Sequence, residues 1–277
     1  MSTEPGWLKM GGFRSGTNYL ERKGGEETIV FIHGFTGNKD FWINFIRYIP
    51  EKYRVLCIDM IGHGSFPQDS SVTYKGELFT RGVESVIDRL NIEKFHLVGI
   101  SLGGIVSKYY AADHSEKILS LCLFDSAGVG SSEPSDFQGA LEKENYNPFS
   151  VKNHDEYERF IGYIYYEIPK APWPVGPVFK RNYIKNNPFN MKIFNDIFQE
   201  QQFETTPAME IAFEKLRMPI LIIWGENDRL FHVSCVDTYK NYLPHVKTVV
   251  IPNCGHIPPI EKTAESAEHY VSFLSHL

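Results

Sequence analysis

Long hydrophobic runs, paired cysteines and blocks of basic charge are all missing from this 277-residue chain. No apolar stretch approaches the ~18 residues needed to cross a bilayer, so no integral membrane segment is expected. The four cysteines, Cys57, Cys122, Cys235 and Cys254, form no C-x-x-C pair. Cys57 and Cys122 fall inside apolar strand-like runs, which points to buried thiols rather than a disulfide framework, and hence to a reducing compartment. The opening MSTEPGWLKMGG lacks the basic start and apolar core of a signal peptide. A cytoplasmic location is therefore expected. Lysine and arginine nowhere cluster and the net charge is −6, which argues against nucleic acid as a partner. P-loop, G-x-G-x-x-G and H-x-x-x-H patterns are missing too, so neither a cofactor nor a metal is expected.

What is present is a rhythm. The runs TIVFIHG (28–34), YRVLCIDM (53–60), FHLVGI (95–100), ILSLCLFD (118–125), PILIIWGEND (219–228) and TVVIPNCGH (248–256) read as strands. Most are apolar throughout rather than alternating, the mark of parallel strands covered on both faces. Helical patterns lie between them, at roughly 39–49, 77–90, 102–112, 234–242 and 262–275. Residues 7–24 read as a hairpin adding antiparallel edge strands. Repeated βα units imply an open α/β sheet.

About ninety residues separate the fourth strand from the fifth, far more than a plain connection needs. They include the helical patterns DEYERFIGYIYYEI and FNMKIFNDIFQEQQF, and 129–207 hold 15 of the chain's 39 aromatics. We read 129–207 as an inserted helical cap on a core of 1–128 and 208–277. Some of its rings form the cap's own packing; others are expected to line an apolar pocket, since ligand sites favour such concavities.

Chemistry in an open α/β sheet sits beyond the carboxyl ends of the strands. Read there, the sequence offers His33-Gly34-Phe35, Asp59, Ser101, Asp125, Glu226, Asp228 and His256. Ser101 lies in G-I-S-L-G, between an apolar strand and a helix, where a sharp turn would expose its hydroxyl. A serine hydroxyl attacks only when a base removes its proton. His256 is the expected base, and Asp228 the acid that fixes its tautomer; the order Ser, Asp, His is that of the α/β-hydrolase triad. The N–H groups of Leu102, at the helix start, and Phe35 are the expected oxyanion donors. Asp125 competes for the acid's role because it also ends a strand. His33 and His63 suit backbone positioning, Glu226 solvation and Cys254 packing.

With these residues in hand, the chain resembles the α/β-hydrolase superfamily over nearly its whole length. The segments HGFTGNKDFW, DMIGHGS, HLVGISLGG, IIWGENDRLFHVS and NCGHIPPIEK are similar to those of monoacylglycerol lipases and bacterial family V lipases and esterases, as is the stretch 147–172. One departure is that Ile61 stands where the group often has proline, with Ser65 directly after Gly64. The resemblance implies an eight-stranded, mostly parallel sheet with helices on both faces, and the same triad and oxyanion donors.

The expected activity is a serine esterase or lipase acting through an acyl-enzyme on neutral acyl esters, monoacylglycerol-like or of short to medium chain. A small-molecule ester is the expected partner. A thioesterase or a cofactor-free C–C bond hydrolase is the alternative; the latter would want a cation such as Arg159, Lys180 or Arg181 in its pocket. A hydrolase-fold ligand receptor is the non-enzyme alternative.

Overall fold

Strands that are apolar on both faces must be covered on both faces, and the architecture follows from that demand. A computed structural model describes residues 13–15, 18–169, 174–198 and 205–277. Its strands are β1 (Phe13–Ser15), β2 (Tyr19–Arg22), β3 (Glu27–Ile32), β4 (Tyr53–Ile58), β5 (Phe95–Ile100), β6 (Ile118–Phe124), β7 (Ile220–Gly225) and β8 (Lys247–Ile251). They form one eight-stranded sheet in the order β1-β2-β4-β3-β5-β6-β7-β8. β1 and β2 pair antiparallel, as do β2 and β4, and the other pairs are parallel. The expected N-terminal hairpin is thus β1–β2; its residues 7–12, 16 and 17 lie outside the described residues.

The helices are α1 (Gly76–Arg89), α2 (Leu102–Asp113), α3 (Asp136–Lys143), α4 (His154–Ile164), α5 (Val175–Phe198), α6 (Pro207–Lys215), α7 (Cys235–Tyr242), α8 (Pro258–Glu261) and α9 (Thr263–Leu274). One core cluster packs α1, α2, α6 and α7 on one face of the sheet. The other face carries Trp42, Phe45, Ile46 and α9 through Ala267, Tyr270 and Phe273. Among the described residues no helix is long and apolar enough to cross a membrane.

The segment 39–49 departs from the expected helix. It forms two 3-10 turns, Lys39–Trp42 and Phe45–Tyr48. Pro50 has no N–H for the Ile46 carbonyl, which an α-helix would pair with residue 50. The Arg22 guanidinium fills that gap, donating to the carbonyls of Ile46 and Ile49 at 2.9 Å and of Pro50 at 3.1 Å. Trp42, Phe45 and Ile46 are nonetheless wholly buried, so the apolar stripe does its packing in a different backbone form.

Between β6 and β7 the chain builds a helical cap region. Phe137, Phe149, Phe160, Tyr163 and Phe194 make its own small core, with Phe35 and Phe231 of the main body at the margin. The helix expected over 155–168 stops at Ile164, whose carbonyl accepts from the His256 N–H at 2.8 Å. The helix expected from 189 starts earlier, at Val175, and runs through Pro188. α6 is an addition to the expected elements; Met209, Ala212 and Phe213 bury it in the main core rather than in the cap.

Candidate active site

Ser101 joins β5 to α2 with φ 54° and ψ −121°, a conformation costly for a residue with a Cβ. The turn is over-determined by its surroundings. The Ser101 N–H donates to Phe124 O at 3.0 Å, and its carbonyl accepts from the N–H groups of Gly104 and Ala127. Two glycines allow the close approach. A Cβ at 99 would stand 2.4 Å from the Gly103 carbonyl oxygen, and one at 103 would stand 2.3 Å from that of His33. The serine is thereby set at the N-terminus of α2, where free N–H groups favour negative charge.

The loop after β3 wraps against this turn. His33 is fully buried, and burial lowers its pKa. The neutral ring has both nitrogens in use: Nε2 accepts from the Met60 N–H at 3.0 Å, and Nδ1 lies 2.7 Å from the Gly34 carbonyl. Asp59 ties the same loop to the 62–65 turn, accepting from the Lys39 N–H at 2.6 Å, Lys39 Nζ at 3.0 Å and the Ser65 N–H at 2.9 Å. These ties suit the positioning work expected of His33. They bring Gly34 against Ser101: a Cβ at 34 would lie 3.2 Å from that of Ser101. Among the described residues neither the Phe35 nor the Leu102 N–H donates to a protein acceptor. His63 is buried nearby, and burial holds its pKa down to about 3, so it packs as a neutral ring.

Asp228 and His256 come from the loops after β7 and β8. Asp228 Oδ2 accepts from His256 Nδ1 at 2.8 Å, with both side chains almost wholly buried. Oδ1 of the same carboxylate accepts from the N–H groups of Leu230 at 2.8 Å and Phe231 at 3.1 Å. Those two donors fix the carboxylate's orientation. Asp125, the competing acid, is not hydrogen-bonded to the histidine. It sits behind Asp228, with Oδ1 accepting from the Gly225 N–H at 2.9 Å. Burial first and the Asp228 charge second raise its pKa well above the carboxylate range, which favours its protonated form. Glu226 is exposed, as expected of a loop residue, and Cys254 is buried.

Glu261 carried no signal in the sequence. Its side chain accepts from the Gly255 N–H and, through Oε2, from the Glu167 N–H at 2.7 Å, bracing the loop that carries His256 against the cap. Asp125, Asp228 and His256 offer ligand atoms within 4.8 Å of one another. His256 Nδ1, however, already faces Asp228 as a hydrogen-bond donor, which suits a histidine base better than a metal ligand.

Ser101 and His256 line one cavity of about 210 Å³, together with Phe41, Tyr157, Tyr165 and Tyr183. Ser101 and Leu102 line a second, of about 50 Å³, walled mainly by aromatic and aliphatic side chains. Among the described residues neither wall contains an arginine or lysine. Arg159 pairs instead with Glu144, and Lys180 with Glu158, in the cap.

A serine on a strained strand–helix turn, sharing a cavity with a histidine that is bonded to a buried carboxylate, defines a hydrolase of the serine esterase–lipase type. The profile of the family described as alpha/beta hydrolase fold matches residues 27–159 and 171–263, and the chain belongs to that family. It is 30% identical to Lipase 1 of Psychrobacter immobilis over 251 residues, covering 90% of this chain and 77% of the relative. It is also 30% identical to monoacylglycerol lipase ABHD6 of Homo sapiens over 271 residues, covering 93% and 78%. Among solved structures, a membrane phospholipase A described as a bacterial virulence factor superposes with a TM-score of 0.86 at 30% identity, covering 93% of this chain and 82% of that one.

Proposed function

We propose that the chain hydrolyses neutral carboxylic esters, monoacylglycerol-like or of short to medium acyl length, with Ser101 as nucleophile, His256 as base and Asp228 as its orienting acid. The observation that carries this reading is the 2.8 Å bond from His256 Nδ1 to Asp228 Oδ2, behind a cavity shared with Ser101. With Nδ1–H held by the carboxylate, Nε2 is left as the acceptor for the Ser101 proton. Attack on the ester carbonyl places a negative oxygen near the N–H groups of Phe35 and Leu102, and their lack of protein acceptors supports their role as oxyanion donors. His256 then protonates the leaving alcohol, and a water that it activates releases the acid from the acyl-enzyme.

The likeness to a lipase and a monoacylglycerol lipase supports an ester substrate. The absence of a cation from the described cavity walls favours a neutral ester over the carboxylate substrate of a C–C bond hydrolase. An intact set of three residues favours an enzyme over a receptor. We take 129–207 as the cap, and the four free, buried cysteines support a reducing, cytoplasmic setting. The test is turnover of p-nitrophenyl esters together with labelling by a fluorophosphonate. Ser101→Ala should abolish both while the melting temperature stays within a few degrees. Turnover that survives in Ser101→Ala would overturn the assignment.

A further inference from the structure

The last carbonyls of an α-helix have no partner within the helix and must find one elsewhere. Cap helix α4 ends against the two loops that carry the acid and the base, and those loops supply the partners. The Gly162 carbonyl accepts from Arg229 Nη1 at 2.9 Å, and Arg229 directly follows Asp228. The Ile164 carbonyl accepts from the backbone N–H of His256 at 2.8 Å. The two segments meet closely. A Cβ at 255 would stand 2.6 Å from the Ile164 carbonyl oxygen and 2.6 Å from the Tyr166 nitrogen. Residues of the catalytic loops thus do the work of a helix C-cap.

Glu261, at the end of α8, closes this joint. Its Oε1 accepts from the Gly255 N–H, and its Oε2 from the Glu167 N–H at 2.7 Å, just beyond the end of α4. The N–H groups of Gly255 and His256, two successive peptides, are therefore both held from outside their own loop. Two anchored peptides in a row fix the backbone from which the imidazole projects. The Asp228 bond sets the ring's tautomer and tilt, while the anchors set where the ring starts. Only a carboxylate suits the place of Glu261, because it carries two acceptor oxygens and no donor. A glutamine there would offer one oxygen and one NH₂, and one of the two N–H groups would face a donor.

We infer that Glu261 is a positioning residue for the hydrolysis, seating His256 by docking its loop on the end of cap helix α4. The inference rests on the proposed role of His256 as base, and adds that the cap and the base form one mechanical unit. Tyr157, Phe160, Ile161 and Ile164 of α4 line the cavity that holds Ser101 and His256. The helix that meets the substrate is thus the helix whose end seats the base.

The experiment measures kcat and KM for p-nitrophenyl butyrate in the wild type, Glu261→Gln, Glu167→Pro and Glu167→Ala. Thermal melts report folding, and proton NMR follows the far-downfield resonance of the His256 Nδ1–H bonded to Asp228. Moving a catalytic group by about 1 Å costs about 10²-fold in rate. Glu261→Gln should therefore lower kcat by about ten- to a hundredfold with KM within about threefold, and should shift or broaden the resonance. Glu167→Pro acts from the cap side: at an exposed position it deletes the N–H that Glu261 Oε2 accepts. It should lower kcat several-fold relative to Glu167→Ala, which keeps that N–H, and this pair decides the matter if Glu261→Gln does not fold. A folded Glu261→Gln with unchanged kcat, a loss confined to KM, or a loss with the resonance unmoved would overturn the inference and leave ester hydrolysis standing. Equal rates in the two variants at 167 would do the same. A wild type that neither turns over esters nor takes up a fluorophosphonate would overturn the proposed activity. The resonance in Glu261→Gln would then still decide whether Glu261 seats His256.

Discussion

Replacing Asp228 and Asp125 in turn by asparagine separates two buried carboxyls that the sequence left in competition. In Asp228→Asn the amide cannot choose its orientation freely. The N–H groups of Leu230 and Phe231 require an oxygen at the Oδ1 position, so the NH₂ must take the Oδ2 place, 2.8 Å from His256 Nδ1. A donor then faces a donor. The histidine relieves the conflict by moving its proton to Nε2, where it confronts Ser101 with an N–H instead of a lone pair. The expected loss in kcat is about 10⁴-fold, the size seen when a triad aspartate becomes asparagine, or about 5.4 kcal/mol of transition-state stabilisation. In Asp125→Asn the same logic gives the opposite answer. The Gly225 N–H holds the amide oxygen at Oδ1, and the NH₂ replaces the O–H of the favoured, protonated carboxyl. Activity should stay within about fivefold, because the net hydrogen bonding hardly changes. Steady-state hydrolysis of p-nitrophenyl butyrate, with thermal melts to confirm folding, reads both variants. A larger loss at 125 than at 228 would refute the reasoning.

The Asp125 proton also has a sign that can be checked. A carboxyl with a raised folded-state pKa lends stability that is complete below its unfolded value near 3.8 and fades as pH rises through the folded one. The wild type should therefore lose stability relative to Asp125→Asn as pH increases from about 4, and parallel curves would count against a protonated Asp125. Lys108 gives the mirror case: it is fully buried, donates to Ala127 O and the Tyr239 hydroxyl, and burial lowers its pKa to about 7. Its neutral form favours folding, so urea unfolding should show the wild type gaining on Lys108→Met between pH 7 and 10, by on the order of several kcal/mol in all; a constant difference would mean the lysine stays charged inside. Gly103→Ala would push a Cβ to 2.3 Å from the His33 carbonyl oxygen and 2.6 Å from that of Ile32. Backbone cannot step aside, so a loss of about 3 kcal/mol or more is expected with most of the activity, and an unchanged melting temperature would contradict the close packing of the turn.

Much of the scaffold was legible because its signals are local. Mostly apolar runs of six to ten residues marked β3 to β7, and the boundaries of α1, α2, α7 and α9 fell within two residues of expectation. What misled were places where a distant group takes over a backbone atom. The stripe over 39–49 reads as a helix, but Arg22 and Pro50 decide its carbonyls. DEYERFIGYIYYEI reads as one helix through 168, but the His256 loop claims the Ile164 carbonyl. Glu261 was silent for the same reason: its partners, Gly255 and Glu167, meet it only through the fold.

The sequence by itself determined the βα rhythm, the serine between a strand and a helix, and the order of Ser101, Asp228 and His256 along the chain, since periodicity and turn chemistry act over a few residues. Only the tertiary structure decided which carboxyl meets the histidine. Asp125 and Asp228 each follow a strand, and strands β6 and β7 are neighbours in the sheet. Which of two adjacent acids bonds to His256 depends on the direction of a side chain, and that is set by the Leu230, Phe231 and Gly225 N–H groups that no sequence pattern links to them. The division of the space around Ser101 was likewise beyond the sequence, because a cavity is the gap left between side chains from separate elements, and its size is a property of their packing.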